Sequence, residues 1–190
     1  MESNNMKENF SWEFSLKNNT IFLYGEIDTP KAELITAQLF YLDANKVDEI
    51  TIYINCSGGS ITDGLSIRNA INSVNAKVIT IGTGYVGGIG VVLLSSGSKG
   101  YRKATSDCEI MLHQPMGASK GQASDIIIES DHIQRVKNRL IQILSDNTGK
   151  STEQIKIDTD RNLYLSSKDA LEYGLIDEVL TEKNKAKGEE

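Results

Sequence analysis

The sequence predicts an α/β domain built from parallel strand–helix–strand units, on three observations. Short β-branched or apolar runs end repeatedly in glycine-rich turns, at Gly25, at 55–60 and at 82–90. Each turn leads into a segment whose apolar residues recur at helical spacing. The run Val78-Ile79-Thr80-Ile81 is almost uninterruptedly apolar, as in a parallel strand covered on both faces.

The elements follow in order. Residues 20–24 form a short strand closed by Gly25. Thr29-Pro30 reads as an N-cap followed by a proline at the first helical position, and Leu34, Ile35, Leu39 and Leu42 carry the helix. Residues 49–54 are a β-branched strand, and the turn at 55–60 launches a second helix to about residue 75, with Leu65, Ala70, Ile71 and Val74 inward. The strand at 77–81 ends in glycines, and the short helix at 89–94 is apolar all round, hence buried. After a flexible polar segment at 117–122, the longest helix spans about 123–146 and stops near Gly149. Its seam is Ile126, Ile133, Val136, Leu140 and Ile143, with Arg135, Lys137 and Arg139 outside; the same pattern suits a core helix or one projecting towards another subunit. Ser151 and Gln154 fit a capping box, Ser166 and Asp169 open a further helix stopped at Gly174, and 175–180 is a last strand. The domain is therefore 20–180, between a short N-terminal segment at 1–19 and a polar, disordered tail at 181–190.

Composition narrows the function classes. Hydrophobic residues make up 39% and charged residues 24%, ordinary for a globular chain long enough to bury a core. A net charge of −6 argues against nucleic acid as the main partner. No run of about 18 apolar residues exists to cross a membrane. Residues 1–9 are polar and lack the apolar centre of a signal peptide. Cys56 and Cys108 have no paired spacing, so a reducing cytoplasm is expected rather than a disulfide framework. His113 and His132 stand apart from any ligand cluster, so no metal and no other cofactor is expected.

Three features could carry chemistry. Paired glycine-rich turns can supply backbone N–H groups to a developing oxyanion on one side and present a nucleophile on the other, although most α/β domains own such turns. His113 closes a strand just before a proline, whereas His132 sits among charged residues of the long helix and reads as solvated. The run Asp158-Thr159-Asp160-Arg161-Asn162 reads by itself as a solvated helix end.

The motifs Ile21-Phe22-Leu23-Tyr24-Gly25, Tyr53-Ile54-Asn55, Gly58-Gly59-Ser60, Met111-Leu112-His113-Gln114-Pro115, Gly121-Gln122-Ala123 and Glu172-Tyr173-Gly174-Leu175-Ile176-Asp177 occur in the order and register of one family. Over about 20–180 the chain resembles the Clp protease proteolytic subunit, ClpP. The resemblance implies a crotonase-like spiral of βαβ units with the long helix as a protruding handle. It implies two stacked seven-membered rings of like or mixed ClpP-like subunits, served by a Clp AAA+ unfoldase. Carried over by position, the family's histidine is His113, its serine falls on Gly88 and its aspartate on Asn162. The oxyanion donors correspond to the N–H groups of Gly59 and Ile89, and Gln122, Asp125, Asp160 and Arg161 match ring-to-ring contacts. Ser57 replaces the family's proline, and the N-terminal segment is shorter than the usual axial loop.

Glycine offers no hydroxyl to attack a carbonyl, so the resemblance points to a non-catalytic structural or regulatory ring subunit. Two alternatives stand beside it. One is an active peptidase using Ser57 or Cys56, or active only in a mixed ring. The other is a dinucleotide site, because Gly82-Thr83-Gly84-Tyr85-Val86-Gly87 is a literal GxGxxG with Asp107 about twenty residues on.

Overall fold

The computed structural model describes residues 13, 17–115 and 121–181. The expected tail, most of the polar segment after Pro115 and most of the N-terminal segment lie outside the described residues. In chain order the elements are β1 (Thr20–Tyr24), α1 (Thr29–Ala44), β2 (Glu49–Cys56), α2 (Ile61–Ser73), β3 (Lys77–Gly87), α3 (Ile89–Ser95), β4 (Arg102–Thr105), β5 (Glu109–Leu112), α4 (Ala123–Thr148), α5 (Thr152–Asp158), β6 (Leu163–Ser166), α6 (Ser167–Tyr173) and β7 (Glu178–Leu180). Strands β1, β2, β3, β4 and β7 lie side by side in that order, all parallel. Strand β5 joins β3 in parallel and carries β6 antiparallel on its other side. This is the mostly parallel α/β architecture that the sequence predicts.

Alternation in β2 buries Ile50, Ile52, Ile54 and Cys56 on one face, and they share a single core cluster with Leu39, Leu42, Ile67, Leu93 and Leu94 of the helices. All seven residues of α3 are buried, as an all-apolar helix requires. In β3, Val78 and Thr80 are buried while Ile79 is half-exposed, so cover on the second face is partial.

Several expectations shift. The cap of α1 is Asp28, whose carboxylate accepts from Lys31 N–H at 3.0 Å; Thr29 is already helical and Leu34 points outward at 50% exposure. Helix α2 starts from Ser60 as read, but ends at Ser73. Ser151 accepts from the Gln154 N–H at 3.1 Å, while the Gln154 side chain turns to Asp158 at 2.8 Å, so only half of that box forms. The complete capping box is Ser166 with Asp169, and α6 stops at Gly174 with φ +91°, as expected. The last strand is shorter than read, because Leu175 and Ile176 are buried in a loop whose Asp177 is bound to Arg102.

The largest difference is β3. It does not end at residue 81 but runs through the glycines to Gly87. Its first half pairs with β4 (Thr80 with Arg102, Gly82 with Ala104), and Tyr85, Val86 and Gly87 pair with β5. Gly84, at φ +62°, bends the strand between the two partners, opposite a register shift in β2 between Ile54 and Cys56. The glycines therefore redirect a strand instead of closing it. This overturns the dinucleotide reading: Gly82, Gly84 and Gly87 lie inside a sheet strand, where they cannot wrap a pyrophosphate, and Asp107 sits in the turn between β4 and β5.

Helix α4 runs two residues past the expected end, to Thr148, and is capped by Gly149 at φ +78°, near the expected stop. Only Leu140, Ile141, Ile143 and Leu144 are buried; residues 123–132 are all exposed. The seam reaches the core from Val136 onward, and the first ten residues stand clear of it as a handle.

Candidate active site

A cleft of about 330 Å³ lies where the ends of β1, β2, β3 and β5 converge with α4. Glu26 follows β1, Ser57, Gly58 and Gly59 follow β2, Gly88 follows β3, and His113 follows β5, all lining the cleft. Each residue arrives at the carboxyl end of a parallel strand, where α/β proteins place their ligands.

Gly88 is the whole of the turn between β3 and α3. Its φ of +53° with ψ of −127° lies outside the regions open to residues with a side chain. Its N–H donates to the carbonyl of Met111 at 3.2 Å, tying the turn to β5. That bond brings His113, two residues on, against Gly88: a Cβ built there would lie 3.1 Å from His113 Nε2. The other ring nitrogen, Nδ1, is 2.8 Å from the carbonyl oxygen of Gln114. A carbonyl only accepts, so Nδ1 carries the proton and Nε2 faces the cleft as an acceptor.

The turn after β2 is fixed through Ile27. Its N–H donates to Gly58 O at 2.8 Å, and its carbonyl accepts from Ser60 N–H at 2.9 Å. Gly59, at φ +128°, is pressed so close that any Cβ would collide with the Ile27 backbone. The N–H groups of Gly59 and Ile89, both on the cleft wall, have no acceptor among the described residues. Such free donors suit an accumulating negative charge.

Asn162 does not join this group. It is exposed, is absent from the cleft wall, and leaves His113 Nδ1 to Gln114. Gln122, Asp125, Asp160 and Arg161 are exposed as well, the last two only 3.7 Å apart at the surface. Cys56 is 1% exposed; burial pushes its thiol up, only partly offset by the Gly58 N–H at 3.3 Å. Ser57 is exposed on the cleft wall.

Sequence reasoning missed Lys137 and Gln114. The Lys137 ammonium donates to Gln114 Oε1 at 2.7 Å within the cleft. Gln114 is itself fixed by its N–H on Thr159 O at 2.9 Å and its Nε2 on Asp160 O at 3.1 Å. Lys137 reads from periodicity as an outward-facing charge, and no local pattern links it to a glutamine 23 positions earlier.

The arrangement defines an α/β protein with a strand-end cleft flanked by a long projecting helix. The family model described as Clp protease matches residues 3–183. The chain thus belongs to the Clp protease family and is a ClpP-like subunit, of a family that assembles into rings. Among the described residues no helix is long and apolar enough to cross a membrane.

Proposed function

We propose that the chain is a non-catalytic ring subunit that shapes a Clp assembly without cutting peptide bonds itself. The observation that carries this reading is the one at Gly88: the position facing His113 Nε2 has no side chain. A histidine can activate a hydroxyl only where one lies within hydrogen-bond reach. In triad peptidases, loss of the serine costs about 10⁶ in turnover. Gly88 then stands at the serine position, His113 is the retained histidine, and Asn162 occupies the aspartate position without serving the imidazole. Gly59 and Ile89 keep the donors of the former oxyanion site.

On this reading the subunit works through its surfaces. Gln122, Asp125, Asp160 and Arg161 lie exposed at the start of the handle, away from its buried end, or just after α5, where they can meet a second ring. The assembly would be two stacked heptameric rings, of this chain alone or with active relatives, served by a Clp AAA+ unfoldase. Two buried free cysteines fit a reducing cytoplasm. The test is hydrolysis of a fluorogenic peptide by the purified chain, with a serine-directed phosphonate as second probe. The expected result is background turnover and no adduct; a mapped adduct or clear turnover would reject the proposal.

A second reading keeps the chain catalytic, through Ser57 or only in a mixed ring. It draws on the exposure of Ser57 on the cleft wall. Loss of turnover in Ser57→Ala would support it; cleavage in a mixed ring that depends only on the partner's serine would count against it.

A further inference from the structure

Building on the reading that this cleft does not cut, we propose that it holds the free C-terminal carboxylate of a peptide ending in an apolar residue. Space comes first. The cleft of about 330 Å³ carries no side chain at Gly88 between the imidazole and its opening, and the 3.1 Å from His113 Nε2 to the Cβ position, crowded for a carbon, is a hydrogen-bond distance for an oxygen. An internal peptide link brings one carbonyl oxygen to such a site, whereas a chain end brings two oxygens and a charge.

The polar wall favours that charge. Gly59 N–H has no acceptor among the described residues, so an oxygen bound there displaces no protein partner. Lys137 spends one of its three donors on Gln114 and is held at the cleft by that bond. The titratable groups on the wall are Glu26, His113 and Lys137. Glu26 is exposed and screened by water, while His113 and Lys137 are half-buried. Because Nδ1 already carries a proton, His113 binds a carboxylate at Nε2 by taking up a second proton from solvent, becoming the imidazolium of an ion pair. Beside this polar end the wall is Ile61, Leu140, Ile141 and Leu144, a lining for an apolar terminal side chain.

The experiment compares two fluorescein-labelled pentapeptides ending in leucine, one a free acid and one a C-terminal amide. Each is titrated against the full chain by fluorescence anisotropy. The free acid should bind about tenfold or more tightly, since hydrogen bonds to charged groups exceed neutral ones by that much. In Lys137→Met and in His113→Gln, checked for an unchanged melting temperature, the preference should fall to about twofold or less. Equal affinities in the unaltered protein, tighter binding of the amide, or no binding of either peptide would overturn the inference. So would a preference that survives both substitutions. A peptide extended beyond the leucine, followed by mass spectrometry, separates the two readings. Its cleavage rejects the non-catalytic function on which the inference rests, whereas an intact peptide with equal affinities rejects the carboxylate alone.

Discussion

His113 Nε2 and the backbone of Gly88 stand so close that a Cβ at residue 88 would sit 3.1 Å from the nitrogen. That separation is tighter than carbon and nitrogen comfortably share, and Gly88 also holds a φ of +53° that disfavours any side chain. Gly88→Ser should therefore cost about 1–3 kcal/mol in backbone strain. For a domain of this size that lowers the melting temperature by roughly 2–12 °C. Calorimetry of the two proteins checks it, and an unchanged or higher melting temperature would show that the turn has room for a serine.

The same variant should not become a competent peptidase, and adding Asn162→Asp should not rescue it. Nδ1 of His113 bonds the Gln114 carbonyl, and residue 162 is exposed and makes no bond to the ring. Without a carboxylate on Nδ1 the imidazolium formed during acyl transfer lacks its counter-charge, a loss of about 10⁴. Turnover of a fluorogenic peptide by the double variant should match that of Gly88→Ser within about threefold. A gain of three orders of magnitude or so would mean that the loop at 159–162 reaches the histidine.

Both thiols should be inert in the folded chain. Burial raises Cys56, and burial pushes Cys108 up to about 11. The thiolate is the reactive form, so near pH 8 neither should react with a disulfide reagent within minutes, while the denatured chain should release two equivalents. Rapid native labelling of Cys56 would revive it as a nucleophile.

How far the sequence reveals this molecule depends on the range of the interaction. Ser166 with Asp169 and the stop at Gly174 were legible because a cap is decided within a few residues. The true length of β3 was not, since a glycine that bends a strand and one that ends it look alike until β4 and β5 supply partners. Arg102–Thr105 and Leu163–Ser166 are only four residues each, and pairing across the sheet makes them strands. The contact between Gly88 and His113 was accessible through family resemblance. Lys137 on Gln114, and the pairing of the imidazole with the Gln114 carbonyl and not with Asn162, depended on where α4 and the end of α5 pack.

Arg102 and Asp177 should set the acid limit of stability. The Arg102 side chain is only 6% exposed and meets Asp177 through Nε at 2.8 Å and a second nitrogen on the other oxygen. Burial by itself would raise the Asp177 carboxyl, but hydrogen bonds and charge from Arg102, with the Gly100 N–H, outweigh it and leave the carboxyl below its usual range. A carboxyl lowered by folding stabilises the fold above its unfolded value, and that stability is lost as pH falls through the folded value. Asp177→Asn leaves a buried guanidinium uncompensated and should cost about 3 kcal/mol at pH 7. The difference from the unaltered chain should begin to shrink below about pH 4, where the unfolded carboxyl protonates, and close as pH falls through the lower native value. Urea titrations at several pH values measure it; a pH-independent difference would rule out the ion pair as the cause.

The handle should act in assembly and not in folding. Ile126, Ile127 and Ile128 are 42%, 62% and 64% exposed on a stretch of α4, 123–132, in which every residue is exposed. Three consecutive residues span roughly 200° of a helix, more than one core-facing stripe needs, so the apolar surface is directed outward. In a ring-forming family the partner most able to cover it is another subunit. Ile127→Asp combined with Ile128→Asp should leave the unfolding free energy of the subunit within about 0.5 kcal/mol, as surface changes do. The same pair should lower the assembly mass, because burying two carboxylates in an apolar contact carries a desolvation cost. Light scattering after gel filtration gives the mass and urea titration of the dissociated subunit gives the stability. An unchanged mass, or a collapse of subunit stability, would remove the handle from the assembly interface.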